Sequence, residues 1–139
     1  MRHLIPALTA ALLMAVLILV DVARPLGAHP WWSQQTLLIG APLGLLLATL
    51  AGLRLNTLPL TVAFLLATAL AFGAAKYGQL QFAASYAEDQ LAGQLWHFGW
   101  IATGLFTAAT LTAAAATLID TWAATIRSSA NPLRKIRKI

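Results

Sequence analysis

SQQTLLIGAPLGLLLATLAGL, Ser33 to Leu53, contains no charged side chain. A helix needs about 20 mostly apolar residues to cross the hydrocarbon core of a bilayer, so this stretch reads as a membrane span. Within it Gly40, Gly44, Ala48 and Gly52 recur at every fourth position, which places them on one helical face. Leucine fills most of the rest. Lipid tails are as apolar as leucine, so helices in a bilayer associate through close backbone approach at small residues. The stretch therefore predicts a helix with leucine turned to lipid and glycine turned to another helix.

Three other segments follow the same plan, from about Leu4 to Val22, Leu55 to Tyr77, and Leu91 to Ile119, the last able to continue to Ile126. The fourth is roughly 43 Å long at 1.5 Å per residue, so it must tilt or extend past the bilayer. Each has its own small-residue seam: Ala7, Ala11 and Ala15; Ala63, Ala67, Ala71 and Ala75; Gly104, Ala108, Thr112 and Ala116. The expected fold is an all-α integral membrane protein, one compact bundle of four transmembrane helices. Short connections favour antiparallel packing of consecutive helices. Pro42 should kink the second helix, whereas Pro59 falls in the first turn of the third, where proline is tolerated.

Composition agrees with this class. Of 139 residues, 60% are hydrophobic and 9% charged, against about 25% charged in soluble domains. The basic balance, nine Lys and Arg against four acids, belongs to segment ends and supplies no basic face for nucleic acid. Absence of cysteine excludes disulfides, thiolate metal sites and Cys-ligated clusters.

Lysine and arginine set the expected orientation. With the N-terminus cytoplasmic, Arg2, Arg54, Arg127, Arg134, Lys135, Arg137 and Lys138 lie inside, and only Arg24 and Lys76 outside. That distribution places both termini in the cytoplasm of a bacterial inner membrane. Trp31, Trp32, Trp96 and Trp100 then form an outer aromatic belt, with Glu88 and Asp89 in an outer loop running from Gln79 to Gln90, and Trp122 marks the inner face. Residues 120–139 form a cytoplasmic tail whose Arg134, Lys135, Arg137 and Lys138 suit anionic lipid headgroups, each contributing about 1 kcal/mol. An acidic cytosolic partner is the alternative occupant. The N-terminal stretch also has a signal-peptide layout that would be cut after Ala28 and expose His29, but Leu26 is a poor residue three positions before such a cut.

Candidate site residues gather at the outer ends. His97 shares a helical face with Gly93, Gly104 and Ala108, about 9 Å below Leu91 by the helical rise. An ionisable residue inside a membrane is costly and marks a candidate site. Asp21, Lys76, Tyr77, Gln94, Trp96 and Trp100 accompany it, with Arg24, His29, Gln34, Gln35, Glu88 and Asp89 nearby. Together they predict a polar vestibule opening outward and closed below by alanine and leucine. The plainer expectation for His97 is a neutral imidazole hydrogen-bonded to a neighbouring helix, holding register.

Chemistry is sparse. His3, His29 and His97 lie at different depths, which argues against bis-histidine haem, and no HxxxH or HxxE spacing supports zinc or copper. No cofactor or metal is expected. The first helix has no acid before Asp21, unlike small proton-coupled exporters, and no nucleophile with a base or phosphate loop appears. A non-enzymatic role follows: a small subunit or assembly factor within a larger respiratory, secretion or transport complex. The competing class is a transporter or channel, or a quinone- or metal-binding protein, centred on His97.

Overall fold

A computed structural model of the chain describes residues 4–129. They form four helices: α1 (Leu4–Leu19), α2 (Ser33–Gly52), α3 (Thr57–Ala84) and α4 (Gln90–Ser129). With 20, 28 and 40 residues, α2, α3 and α4 are long and apolar enough to cross a membrane, whereas α1, with 16, is an apolar helix below that length. At 1.5 Å per residue α4 is about 60 Å long, twice the hydrocarbon thickness.

Backbone caps explain where the helix bounds depart from expectation. α1 stops at Leu19 rather than Val22 because Asp21 turns left-handed, φ 50. Its N–H returns to the Ile18 carbonyl and that of Val22 to Leu17, the paired bonds of a Schellman stop. α3 runs on past Tyr77 to Ala84, so the first half of the expected outer loop is helix. The same device ends it: Tyr86 and Ala87 have φ 55 and 67, and their N–H groups bond Ala83 and Phe82 carbonyls. Asp89 then caps α4, its Oδ1 accepting the Ala92 N–H at 3.0 Å, while Ser85 Oγ accepts the Asp89 N–H at 3.0 Å. Side-chain oxygen at this position satisfies an orphan donor of the first turn.

Packing is organised around α4. α3 and α2 each lie along it, α1 rests against both α2 and α4, and α2 barely touches α3 despite the short connection between them. Neighbouring in sequence is therefore not neighbouring in space for that pair, because α4 offers each of them a small-residue face. Toward α2, a Cβ on Gly40 or Gly44 would enter the backbone of Ile101 and Leu105, and Gly104 faces Leu37 and Thr36. Toward α3, a Cβ on Gly99 would lie 2.8 Å from Ala75, and one on Gly78 2.5 Å from the Trp96 nitrogen. Ala48 and Ala108 are buried in these contacts.

Several seam residues fall elsewhere than the four-residue spacing suggests. Gly52 has nothing within 4 Å of its Cβ position. On α1 the buried row is Pro6, Ala10 and Met14, one residue round from Ala7, Ala11 and Ala15. On α3 Ala63 is exposed and Phe64 buried. The repeat there is heptad-like: Thr61 meets Thr117, Thr68 meets Thr110, and Phe82 meets Trp96. A seven-residue repeat keeps one seam facing its partner along a long antiparallel pair. The threonine pairs sit at 3.2 and 3.3 Å, and each hydroxyl also reaches its own helix carbonyl. A hydroxyl has one proton, so one of each pair at a time bonds across, a contact that stabilises membrane helices by about 0.6 kcal/mol on average.

The interior is small and the exterior large. Ala10, Ala23, Ala75, Ala108 and Ala109 are fully enclosed, while Leu8, Leu12, Leu46, Leu66 and Leu70 stand more than half exposed. Such a surface is suited to hydrocarbon rather than water. Pro42 points outward, and α2 remains one helix through it. Gly44→Ala is expected to lower stability in bicelles by about 1–3 kcal/mol through overpacking against α4. Gly52→Ala should be neutral or stabilising by up to about 1 kcal/mol, both read by reversible unfolding under steric trapping.

Candidate functional site

The connections between α1 and α2 and between α3 and α4 meet at one end of the bundle, which also carries four of the tryptophans. The first connection folds back as successive turns. It buries Ala23 and Ala28 against Leu37, Ala75 and Trp100. Gly27 is favoured there by its φ of 112, and a Cβ would also press on the flexible ends of Lys76, 2.5 Å from Nζ, and Gln79, 2.6 Å from Oε1. Residues with a Cβ rarely adopt that conformation.

Polar side chains at this end are used to fasten that connection. Lys76 Nζ donates to the Leu26 carbonyl at 3.2 Å and to Gln79 Oε1 at 2.7 Å. Trp96 Nε1 donates to the Gly27 carbonyl at 2.9 Å. Gln34 Nε2 donates to the Ile18 carbonyl at 3.1 Å, serving the end of α1. Thus α3 and α4 each hold one of two consecutive carbonyls.

Aromatic rings fill the space beside this latch. His29 stacks on Trp32, with centroids 5.7 Å apart at 22°, and meets Trp31 and Trp96 edgewise at 5.5 and 5.7 Å. Its Nδ1 accepts the Trp31 N–H at 3.3 Å. His97 is half-buried and lies edge-on to Trp32 at 4.8 Å and 88°. It makes no hydrogen bond within the described residues, so its register contact is aromatic, not the hydrogen bond to a neighbouring helix expected from sequence. Edge-to-face geometry suits the ring quadrupoles.

The expected vestibule residues separate into groups. Lys76 and Trp96 belong to the latch and His97 to the ring cluster. Gln94 and Tyr77 are exposed and make no side-chain hydrogen bond among the described residues. Asp21 takes the left-handed stop position after α1, where its Oδ1 is buried without a partner. Trp100 is 2% exposed, crossed edgewise by Phe72 at 5.7 Å, and its Nε1 likewise has no partner. Asp89 is a helix cap. Among the described residues no three histidine, aspartate or glutamate side chains converge as metal ligands.

Free space occurs at the opposite end, where alanine and leucine alone were expected. A cavity of about 20 Å³ lies among all four helices, walled by residues that include Pro6, Thr49, Gly52, Thr57 and Thr112. Arg134, Lys135, Arg137 and Lys138 lie outside the described residues. Set against protein-family models, curated proteins and solved structures, the chain matches none.

Gly27 and Gln79 are the site residues that sequence reasoning did not single out, and Trp32, expected in the outer aromatic belt, is the ring on which His29 stacks and which His97 meets edgewise. Their role is to meet or to supply backbone carbonyls and ring faces, for which no motif exists; the one available signal is a glycine between two apolar residues in a connection. Trp96→Phe should remove the bond to Gly27 at a cost of about 1 kcal/mol and speed amide hydrogen exchange across residues 27–32. His97→Phe should keep full stability, and His97→Gln and His97→Leu should both lose about 0.5–1.5 kcal/mol of edge contact, read by unfolding in bicelles.

Proposed function

We propose that this chain is a small non-catalytic subunit or assembly factor that packs into a larger complex of a bacterial inner membrane. In this reading it crosses the bilayer four times with both termini cytoplasmic, α1 completing its passage through the turns after Leu19. The basic tail, Arg134, Lys135, Arg137 and Lys138, then lies against anionic lipid. Support comes first from the tryptophan end, where Gln34 of α2 and Lys76 of α3 donate to the chain's own backbone carbonyls.

The observation that carries the proposal is Gly73. It sits mid-helix in α3, exposed, with nothing within 4 Å of its Cβ position. A glycine inside a helix costs about 1 kcal/mol relative to alanine, and no contact among the described residues needs it. Ala69, one turn earlier, is exposed as well. A small-residue face turned away from its own bundle allows a helix of another protein to approach closely. In this reading the occupant is a transmembrane helix of a different subunit.

A second reading, a ligand-handling protein centred on His97, is favoured by the two buried polar atoms without partners, Asp21 Oδ1 and Trp100 Nε1. Either is a group that a bound polar molecule would satisfy.

The test is purification of the tagged chain in gentle detergent, with native mass spectrometry of the intact assembly. The wild type should carry a fixed larger partner. Gly73→Leu should reduce the co-purified partner by tenfold or more while the chain itself keeps its fold by circular dichroism. A homo-oligomer carrying quinone, lipid or metal, unaffected by Gly73→Leu, would establish the second reading.

A further inference from the structure

The cavity at the end opposite the tryptophans lies where α1 contributes Pro6, α2 Thr49 and Gly52, α3 Thr57, and α4 Thr112 and Ala113. Its size decides what fits. A volume of about 20 Å³ exceeds the roughly 10–15 Å³ that one water needs, and is far below the several hundred cubic ångströms of a small-molecule site. Polar atoms form part of its wall, and it communicates with the outside.

The hydroxyls at this site are complementary to water. Thr49 Oγ1 donates to the Leu45 carbonyl at 2.7 Å and Thr112 Oγ1 to the Ala108 carbonyl at 2.8 Å. Each has spent its proton and keeps lone pairs that accept. The Thr57 hydroxyl makes no side-chain hydrogen bond within the described residues and retains its proton to donate. A water molecule brings two donors and two acceptor pairs, so two accepting hydroxyls and one donating hydroxyl meet its needs. Buried waters make about three such bonds.

We propose that this cavity binds one ordered water, which joins α2, α3 and α4 through Thr49, Thr57 and Thr112. The bond is formed where packing is otherwise incomplete: Gly52 has open space in front of it, and α2 and α3 scarcely touch directly. The water supplies the polar contact between those two helices that their side chains do not make. It is a structural ligand of the bundle and is independent of the subunit reading.

The test is a threonine-methyl-to-water Overhauser experiment on the full chain in nanodiscs. Methyls of Thr49, Thr57 and Thr112 should show cross-peaks to a water retained longer than bulk solvent. Thr112→Val, which keeps the shape and removes one acceptor, should reduce the Thr49 and Thr57 cross-peaks at least threefold. Thr110→Val, on the α3-facing seam, should leave them unchanged. Should Thr112→Val fail to fold, Thr57→Val removes the donor at the cavity rim and carries the same readout at Thr49 and Thr112. Absence of retained water in the wild type, or cross-peaks indifferent to both cavity variants, overturns the proposal.

Discussion

The approach of the α4 backbone to α2 on one face and α3 on another is the contact on which the molecule depends. In water a cluster of leucines would draw helices together, but in hydrocarbon leucine gains nothing by leaving lipid for protein. What remains is contact at short range, and short range needs missing side chains. Gly40 and Gly44 admit Ile101 and Leu105, and Gly99 admits Ala75. Because dispersion falls steeply with distance, a single added methyl at these positions acts on the whole seam. The exposed leucines and enclosed alanines are two consequences of the same rule.

That constraint also orders the polar chemistry. The connection from α1 to α2 reaches across the end of the bundle, so that its carbonyls at Leu26 and Gly27 lie over α3 and α4. Lys76 and Trp96 meet them. The tryptophans and histidines then pack as a cluster of rings around Trp32. A proposal of subunit function draws on the outcome: Gln34, Lys76 and Trp96 bond to their own chain, while much of the exposed surface is apolar, and Gly73 and Ala69 on α3 suit a second helix.

Much of this was legible in the sequence, for identifiable reasons. Helix number and type follow from apolar runs bounded by Arg24, Arg54 and the Glu88–Asp89 pair. Gly40, Gly44, Ala48, Gly104 and Ala108 were found as packing residues because close approach leaves a mark that composition carries. Gly52 was not distinguishable from them, since its spacing is identical and only the ending of α2 removes it from contact. The true α3 seam was hidden because Ala63, Ala67 and Ala71 offered a regular pattern, while the heptad used instead is written in threonines and in Phe82. The extension of α3 to Ala84 was missed because Gln79, Gln81 and the polar residues that follow resemble a loop, although neither glutamine breaks a helix. The latch could not be read, because its acceptors are carbonyls of Leu26 and Gly27, which every residue possesses.

The absence of cysteine from the chain makes the central arrangement directly measurable by paired cysteine cross-linking in native membranes. The decisive comparison pairs Thr68→Cys with Thr110→Cys, whose hydroxyls face each other across the α3–α4 seam at 3.3 Å, against Leu46→Cys with Leu65→Cys, on the exposed faces of α2 and α3. Oxidation should join the first pair rapidly and leave the second unlinked. Efficient linkage between α2 and α3, with none between α3 and α4, would contradict a bundle organised around α4.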